Sequence, residues 1–213
     1  LNTSMPASVL YPMVNGGIGV LVAIISCTAF REKLTLQAEY RLPKIEDKLV
    51  SKIDGTVKYL FRLYDGEFVE SVFMRYEHGN TICVSTQVGC AMGCGFCAST
   101  IDGKIRNLTP GEIADQVIFA QKDVGERISN IVLMGIGEPL DNYENVLEFL
   151  KKAQNENGLG ISYRNISLST CGVVSGIDRL AKENMPITLS ISLHAANDER
   201  RSEIMPVNNK WNI

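Results

Sequence analysis

Histidine is scarce in this sequence: His78 and His194 are the whole supply in 213 residues. Zinc sites usually draw on four ligands from paired Cys or Cys/His groups, and neither histidine stands beside the one cluster of cysteines. Also missing is the dense, even cysteine framework of a small secreted domain. The chain has only six cysteines, three of them within eight residues, which argues against a disulfide scaffold and for a reducing, cytoplasmic setting. No excess of one charge sign is present, since 21 Lys/Arg stand against 24 Asp/Glu; global charge therefore gives no hint of a nucleic-acid partner. Residues 1–29 lack any charged side chain. Their apolar run, Gly16 to Ala29, is too short for a membrane span and lacks the basic flank of a signal peptide. No membrane partner is expected, and the stretch is left unassigned. The first residue is Leu1 rather than Met, which points to a fragment.

What is present in strength is the stretch Cys90-Ala91-Met92-Gly93-Cys94-Gly95-Phe96-Cys97, directly after the apolar run Thr81 to Thr86. The spacing is Cys-x3-Cys-x2-Cys, with Gly89, Gly93 and Gly95 interleaved. Glycines let a short loop curl so that its thiols can converge on one inorganic centre. Iron–sulfur cubanes are held by one thiolate per iron, so three thiolates would leave one iron of a 4Fe-4S cluster open to a small molecule. A zinc site with Cys171 as a distant fourth ligand and a set of purely structural thiols are the competing readings.

A chain of this length holds one sizeable core and a small accessory piece. Residues 30–62 carry eight Lys/Arg against five acids, either a solvated charged face or a phosphate-contacting arm. From Phe30 to Val50 the mixed pattern, broken at Pro43, predicts one or two short helices. Val57, Tyr59, Phe61 and Leu63 then alternate, Asp65-Gly66 signals a hairpin turn, and Phe68 to Met74 resumes as a strand. The expected organisation is 1–29 unassigned, 30–80 an extension of helices and a β-hairpin, and 81–213 the core.

Beyond the cysteine loop, helix and strand patterns alternate. Thr109-Pro110-Gly111-Glu112 combines an N-cap, an N1 proline and a capping-box Glu, opening a helix that stops at Gly125. Ile131 to Met134 reads as a buried strand, and Asp141-Asn142-Tyr143-Glu144 opens a second helix with Val146, Leu147, Leu150 and Ala153 as its apolar stripe. Arg164 to Ser169 is a third core strand, Gly176 to Asn184 a short helix, and Ile187 to Leu193 a fourth strand. This alternation predicts an α/β fold with a parallel sheet or barrel. In such folds the chemistry sits on loops after the strands' C-terminal ends. Cys90–Cys97, Gly135–Leu140, Ser169–Gly172 and Ser192–His194 all fall there, on one rim.

The cysteine loop with Phe96 resembles the cluster motif of the radical S-adenosylmethionine (SAM) enzymes. Cys83-Val84-Ser85-Thr86-Gln87-Val88-Gly89-Cys90, Gly135-Ile136-Gly137-Glu138-Pro139-Leu140, Leu168-Ser169-Thr170-Cys171-Gly172 and Ile191-Ser192-Leu193-His194-Ala195 narrow the resemblance. Together they resemble the dual-specificity family that methylates adenine C2 in 23S rRNA and certain tRNAs; a related methylase acting on adenine C8 and an inactive metal- or RNA-binding fragment are the alternatives. The resemblance implies a partial (β/α) barrel with about four of six units, preceded by a β-hairpin and a short helical extension. It implies a 4Fe-4S cluster on Cys90, Cys94 and Cys97, SAM held by Gly137, Glu138, Ser169, Ser192, Leu193 and His194, and Glu70 as a proton acceptor. The implied partners are 23S rRNA, tRNA and an electron donor such as flavodoxin or ferredoxin, in a cytoplasmic monomer.

Without that resemblance, Glu70 on a strand reads as solvent-facing, Glu138 as a solvated loop acid, and His194 as structural. Cys27, Cys83 and Cys171 read as small buried hydrophobes. In the family, one SAM methylates a late cysteine whose methyl group is then passed to the base. No residue here matches that cysteine, so this stretch is expected not to complete turnover.

Overall fold

A computed structural model describes residues 42–213, so the expectations for residues 1–41 lie outside the described residues. Three antiparallel strands lead the fold: β1 (Lys44–Val50), β2 (Val57–Arg62) and β3 (Phe68–Met74). The alternation of Val57, Tyr59 and Phe61 places one face of β2 in the core, all three being buried, and β3 pairs with it in register Tyr59↔Ser71 and Phe61↔Val69. Gly66 turns the hairpin at φ 92°, a left-handed backbone that glycine adopts without steric penalty.

β1 corrects the helical expectation for residues 44–50. Its side chains are almost all exposed, so no helical stripe exists to bury. The free edge of β2 supplies backbone partners instead, and tertiary pairing overrides local preference. A bulge between Ile45 and Asp47 interrupts the alternation that would have marked a strand.

β3 pairs antiparallel with β4 (Thr81–Cys83), and from there the sheet turns parallel: β4 to β7 (Asn130–Leu133), β7 to β8 (Ile166–Thr170), β8 to β9 (Thr188–Ile191). One sheet of order β1-β2-β3-β4-β7-β8-β9 results. Its four parallel strands match the four expected barrel units, and among the described residues the sheet stays open. A two-stranded ribbon, β5 (Gln87–Gly89) and β6 (Lys104–Asn107), brackets the cysteine loop.

Three helices follow the pattern anticipated. In α1 (Pro110–Val124) the Thr109 hydroxyl and the Glu112 side chain complete the capping box, and Gly125 ends the helix at φ 70°. α2 (Tyr143–Gln154) buries Val146, Phe149, Leu150 and Ala153, with Phe149 rather than Leu147 carrying the centre of the stripe. α3 (Val174–Lys182) follows β8, and a fourth helix not anticipated, α4 (Asp198–Ile204), follows β9. Ile131, Leu133, Ile166 and Leu168 share one core with the apolar faces of α1 and α2. The alternate residues Val132, Ser167 and Ser169 stay half-buried on the other face of the sheet. Among the described residues, no helix is long and apolar enough to cross a membrane.

Candidate active site

The ends of the parallel strands carry polar segments because the chain must leave the sheet there, and those segments meet around one cavity of about 280 Å³. Cys90, Cys94 and Cys97 line it together with Gly137, Glu138, Ser169, Ser192 and His194. Segments more than a hundred positions apart in sequence, Cys90 and His194 among them, thus converge as the rim rule requires.

The cysteine loop is held by backbone. The Cys90 N–H donates to Gly103 O at 3.0 Å, that of Gly95 to Ile204 O at 2.9 Å, and that of Cys97 to Cys94 O at 3.0 Å. The Thr100 hydroxyl donates to Cys97 O at 2.9 Å. Gly89, at φ 71°, is required at the loop's base, because a Cβ there would lie 1.9 Å from Gly103 O. Burial pushes the thiols of Cys90 and Cys94 up from the ordinary thiol range; the nearby Arg201 guanidinium acts against this at Cys94.

Glu138 is buried, and its carboxylate accepts from two backbone amides: Leu140 N–H at 3.0 Å and Cys171 N–H at 2.8 Å. Its own N–H donates to Gln87 Oε1 at 2.9 Å, and the Gln87 amide donates in turn to Asn107 and Asp141, both at 2.8 Å. Gly137 is needed beside it: at φ 101°, a Cβ would lie 2.5 Å from the Gln87 side chain. The carboxylate is therefore fixed in place and faces the cavity without an ion-pair partner among the described residues. Ser169 Oγ and Ser192 Oγ stand 3.4 Å apart across the ends of β8 and β9. His194 has φ 56°, uncommon for a residue with a side chain, and its ring lies 4.7 Å from that of Phe96 at a tilt of 56°.

Two expected residues sit elsewhere. Leu193 is exposed and outside the cavity lining, contributing its carbonyl as an acceptor for Arg201 at 3.1 Å. Glu70 also lies outside the lining, on β3, half exposed and paired with Lys58 at 2.7 Å. Cys171 is buried, as expected of a small hydrophobe, but it also lines the cavity. Burial first, then the Glu138 carboxylate, push its thiol up and hold it protonated. The basic residues of β1 and β2 are largely matched, Lys48 to Asp123 at 2.8 Å and Arg62 to Glu46 at 3.1 Å, which favours the solvated face over a phosphate arm.

The described residues contain no group of three His, Cys, Asp or Glu side chains that could hold a single metal ion. A cubane takes each thiolate on a different iron, and three thiols lining one cavity fit that donor set. Sequence reading assigned no role to Gln87 and Thr170, which stand inside the quoted motifs, and missed Met205 and above all Arg201. Within Asp198-Glu199-Arg200-Arg201 nothing distinguishes the buried arginine from its exposed neighbours.

The radical SAM superfamily pattern matches residues 84–212, which take in all three thiols and every strand-end segment. The chain belongs to the radical SAM superfamily. It is 60% identical over 181 residues to a probable dual-specificity RNA methyltransferase RlmN of Clostridium botulinum (strain Alaska E43 / Type E3), covering 85% of this chain and 52% of the relative. It is 57% identical over 183 residues to the protein of the same name from Clostridium novyi (strain NT), covering 86% and 53%. The crystal structure of a radical SAM methyltransferase from Sphaerobacter thermophilus is similar at a TM-score of 0.83 and 39% identity, over 89% of this chain and 56% of that one. The chain thus spans about half the length of the curated relatives it matches. The superfamily implies a 4Fe-4S cluster and SAM.

Proposed function

We propose that this chain carries the cluster- and SAM-binding site of a radical SAM RNA methyltransferase, a transferase that methylates adenine C2 in 23S rRNA and tRNA. The observation that carries the reading is the convergence of Cys90, Cys94 and Cys97 with the segments after β7, β8 and β9 on one cavity. When bound, a 4Fe-4S cluster supplies the electron that cleaves SAM, and the protein's part is to position and shield. Cys90, Cys94 and Cys97 would hold the cluster. The fixed carboxylate of Glu138 suits an ammonium group such as SAM's, and Gly137 lets backbone approach closely. Ser169, Ser192 and His194, which line the cavity, would complete the SAM contacts, with Leu193 beside them outside the lining. Glu70 is the proton acceptor; its carboxylate pairs with Lys58 at 2.7 Å, so it must exchange that partner to act. In this reading transfer passes through a methylated cysteine, and no residue of this chain is assigned that role. A low-potential donor such as flavodoxin or ferredoxin supplies the electron, in the cytoplasm, to a monomer.

The names of the relatives support an RNA substrate of two kinds, and overall similarity to them, rather than any single residue, supports C2 over C8. Anaerobic reconstitution should give about four irons and four sulfides per chain; zinc alone would overturn the reading. Nucleoside analysis of RNA from cells with and without the gene separates the positions: loss of 2-methyladenosine supports it, while loss of the 8-methyl isomer assigns the C8 alternative. Cluster-loaded, reduced chain that leaves SAM uncleaved would favour the inactive fragment.

A further inference from the structure

Arg201, on α4, is buried, yet it forms no ion pair among the described residues. All of its donors meet neutral oxygens. Nε donates to Leu193 O at 3.1 Å; Nη1 to Asn208 Oδ1 at 2.7 Å and Trp211 O at 3.4 Å; Nη2 to Cys171 O at 2.6 Å and Ser192 O at 3.4 Å. A guanidinium satisfied this way is fully hydrogen-bonded but has no direct ion pair: the Asp198 carboxylate reaches it only through Asn208, whose amide donates to Asp198 Oδ1 at 3.1 Å, and a buried charge so weakly matched is expensive. A fold keeps such a group where an opposite charge arrives later. Three of the carbonyls it holds, those of Cys171, Ser192 and Leu193, belong to the segments after β8 and β9, which bring Cys171, Ser192 and His194 to the cavity. Gly172 lets it in closely, since a Cβ there would lie 3.3 Å from Nη2.

We infer that Arg201 is a positioning residue of the cluster site: it ties the β8 and β9 loops together and supplies the buried positive charge that the thiolate-held cluster lacks. This rests on the functional reading above. Three thiolates bring net negative charge into the cavity, and each one-electron reduction adds one more. A fixed positive charge held on the carbonyl of Cys171, itself in the cavity wall, favours the reduced form, because cluster potential follows local charge and hydrogen bonding. No bond is made or broken; the electron comes from a low-potential one-electron reductant, dithionite in the test.

Two variants separate charge from scaffold. Arg201→Gln removes the charge and keeps part of the hydrogen bonding, whereas Arg201→Lys keeps the charge and loses the fork. Each is loaded with iron and sulfide without air, its circular dichroism and melting compared with wild type, and its cluster titrated by EPR against dithionite. Arg201→Gln should shift the midpoint more negative by about tenfold in the reduction equilibrium constant, roughly 59 mV for one electron. Arg201→Lys should hold its midpoint within about twofold of wild type while the EPR change on adding SAM requires about tenfold more SAM, because the loops are no longer clamped. A folded Arg201→Gln chain with a wild-type midpoint overturns the inference. So does an Arg201→Lys midpoint that falls as far as that of Gln, and this second criterion decides alone if the Gln variant does not fold. Wild-type chain that takes up no iron overturns the functional reading instead, before either variant is compared.

Discussion

On the antiparallel side of the sheet, Lys58 meets Glu70 at 2.7 Å, Arg62 meets Glu46 at 3.1 Å and Arg75 meets Glu126 at 2.6 Å, all with side chains some 40% or more exposed. At the ends of the parallel strands, Glu138 and Arg201 are both buried, and neither has an oppositely charged partner among the described residues. The carboxylate rests on amide N–H groups and the guanidinium on carbonyls. Charge on the first side is neutralised locally by flexible side chains in water, where it contributes little. Charge on the second is fixed by backbone dipoles and left electrically open. That is how a fold prepares charge for a ligand rather than for itself, since preorganised dipoles need not rearrange when the ligand arrives.

The largest effect expected from this contrast is on the cysteine loop. Replacing Cys94, which is buried at the centre of the motif, by Ala should abolish iron uptake altogether, with iron and sulfide analysis after anaerobic loading as the measure. Retention of full iron content would remove the ligand assignment. The apoprotein fold should survive, because the loop's backbone bonds to Gly103 and Ile204 do not involve the thiol.

Next comes Glu138. Glu138→Leu leaves the Leu140 and Cys171 amides without their acceptor and should destabilise by about 3 kcal/mol, the usual penalty of buried unsatisfied donors. Glu138→Gln keeps an acceptor for one amide and should cost about 1 kcal/mol while still removing the negative charge. Urea denaturation separates the two; equal small losses would mean that the carboxylate is not held as described.

How much of this was visible beforehand varied with the kind of signal. The cysteine loop was legible because ligand chemistry demands a spacing that survives any fold. Helix α1 was legible because Thr109, Pro110 and Glu112 each act within one turn of their own backbone. The β2–β3 hairpin followed from strict alternation around Asp65-Gly66. β1 escaped because a bulge breaks its alternation and its only structural reason is the edge of β2. The β5–β6 ribbon escaped because a three-residue strand pairs with one fifteen positions on. Arg201 could not be found at all, since its role depends on carbonyls brought together from three separate segments. Glu70 was singled out only by resemblance, and its ion pair with Lys58 reflects the pairing of β2 with β3 that places the two side by side.

A smaller effect tests whether a carboxylate without a dipole cradle behaves differently from Glu138. Asp115 on α1 is half-buried, and its pKa is raised to about 6, first by burial and then by the neighbouring Glu112 charge. A folded-state pKa above the unfolded value means that protonation favours the native state. The group therefore imposes no penalty below about pH 4, and the penalty develops as pH rises toward 6 and stays above it. Two units correspond to about 2.7 kcal/mol, which solvent screening at a partly exposed site reduces to about 1 kcal/mol. Asp115→Asn should thus stabilise by that amount at pH 8 and by almost nothing at pH 4. A gain equal at both values would assign the effect to packing.

The smallest effect belongs to the antiparallel side. Arg62→Ala removes the pair with Glu46, whose partners are 44% and 43% exposed. Exposed pairs of this kind contribute between zero and about 1 kcal/mol, and the strand pairing of Lys44 with Arg62 is made through backbone that the substitution leaves intact. We expect a change within about 0.5 kcal/mol in urea midpoint measurements, and one that vanishes in 1 M salt, where screening reaches to about 3 Å. A loss of 2 kcal/mol or more that persists in salt would mean that charge on this side is also structurally committed. The distinction between a self-neutralised surface and an electrically open rim would then have to be redrawn around burial alone.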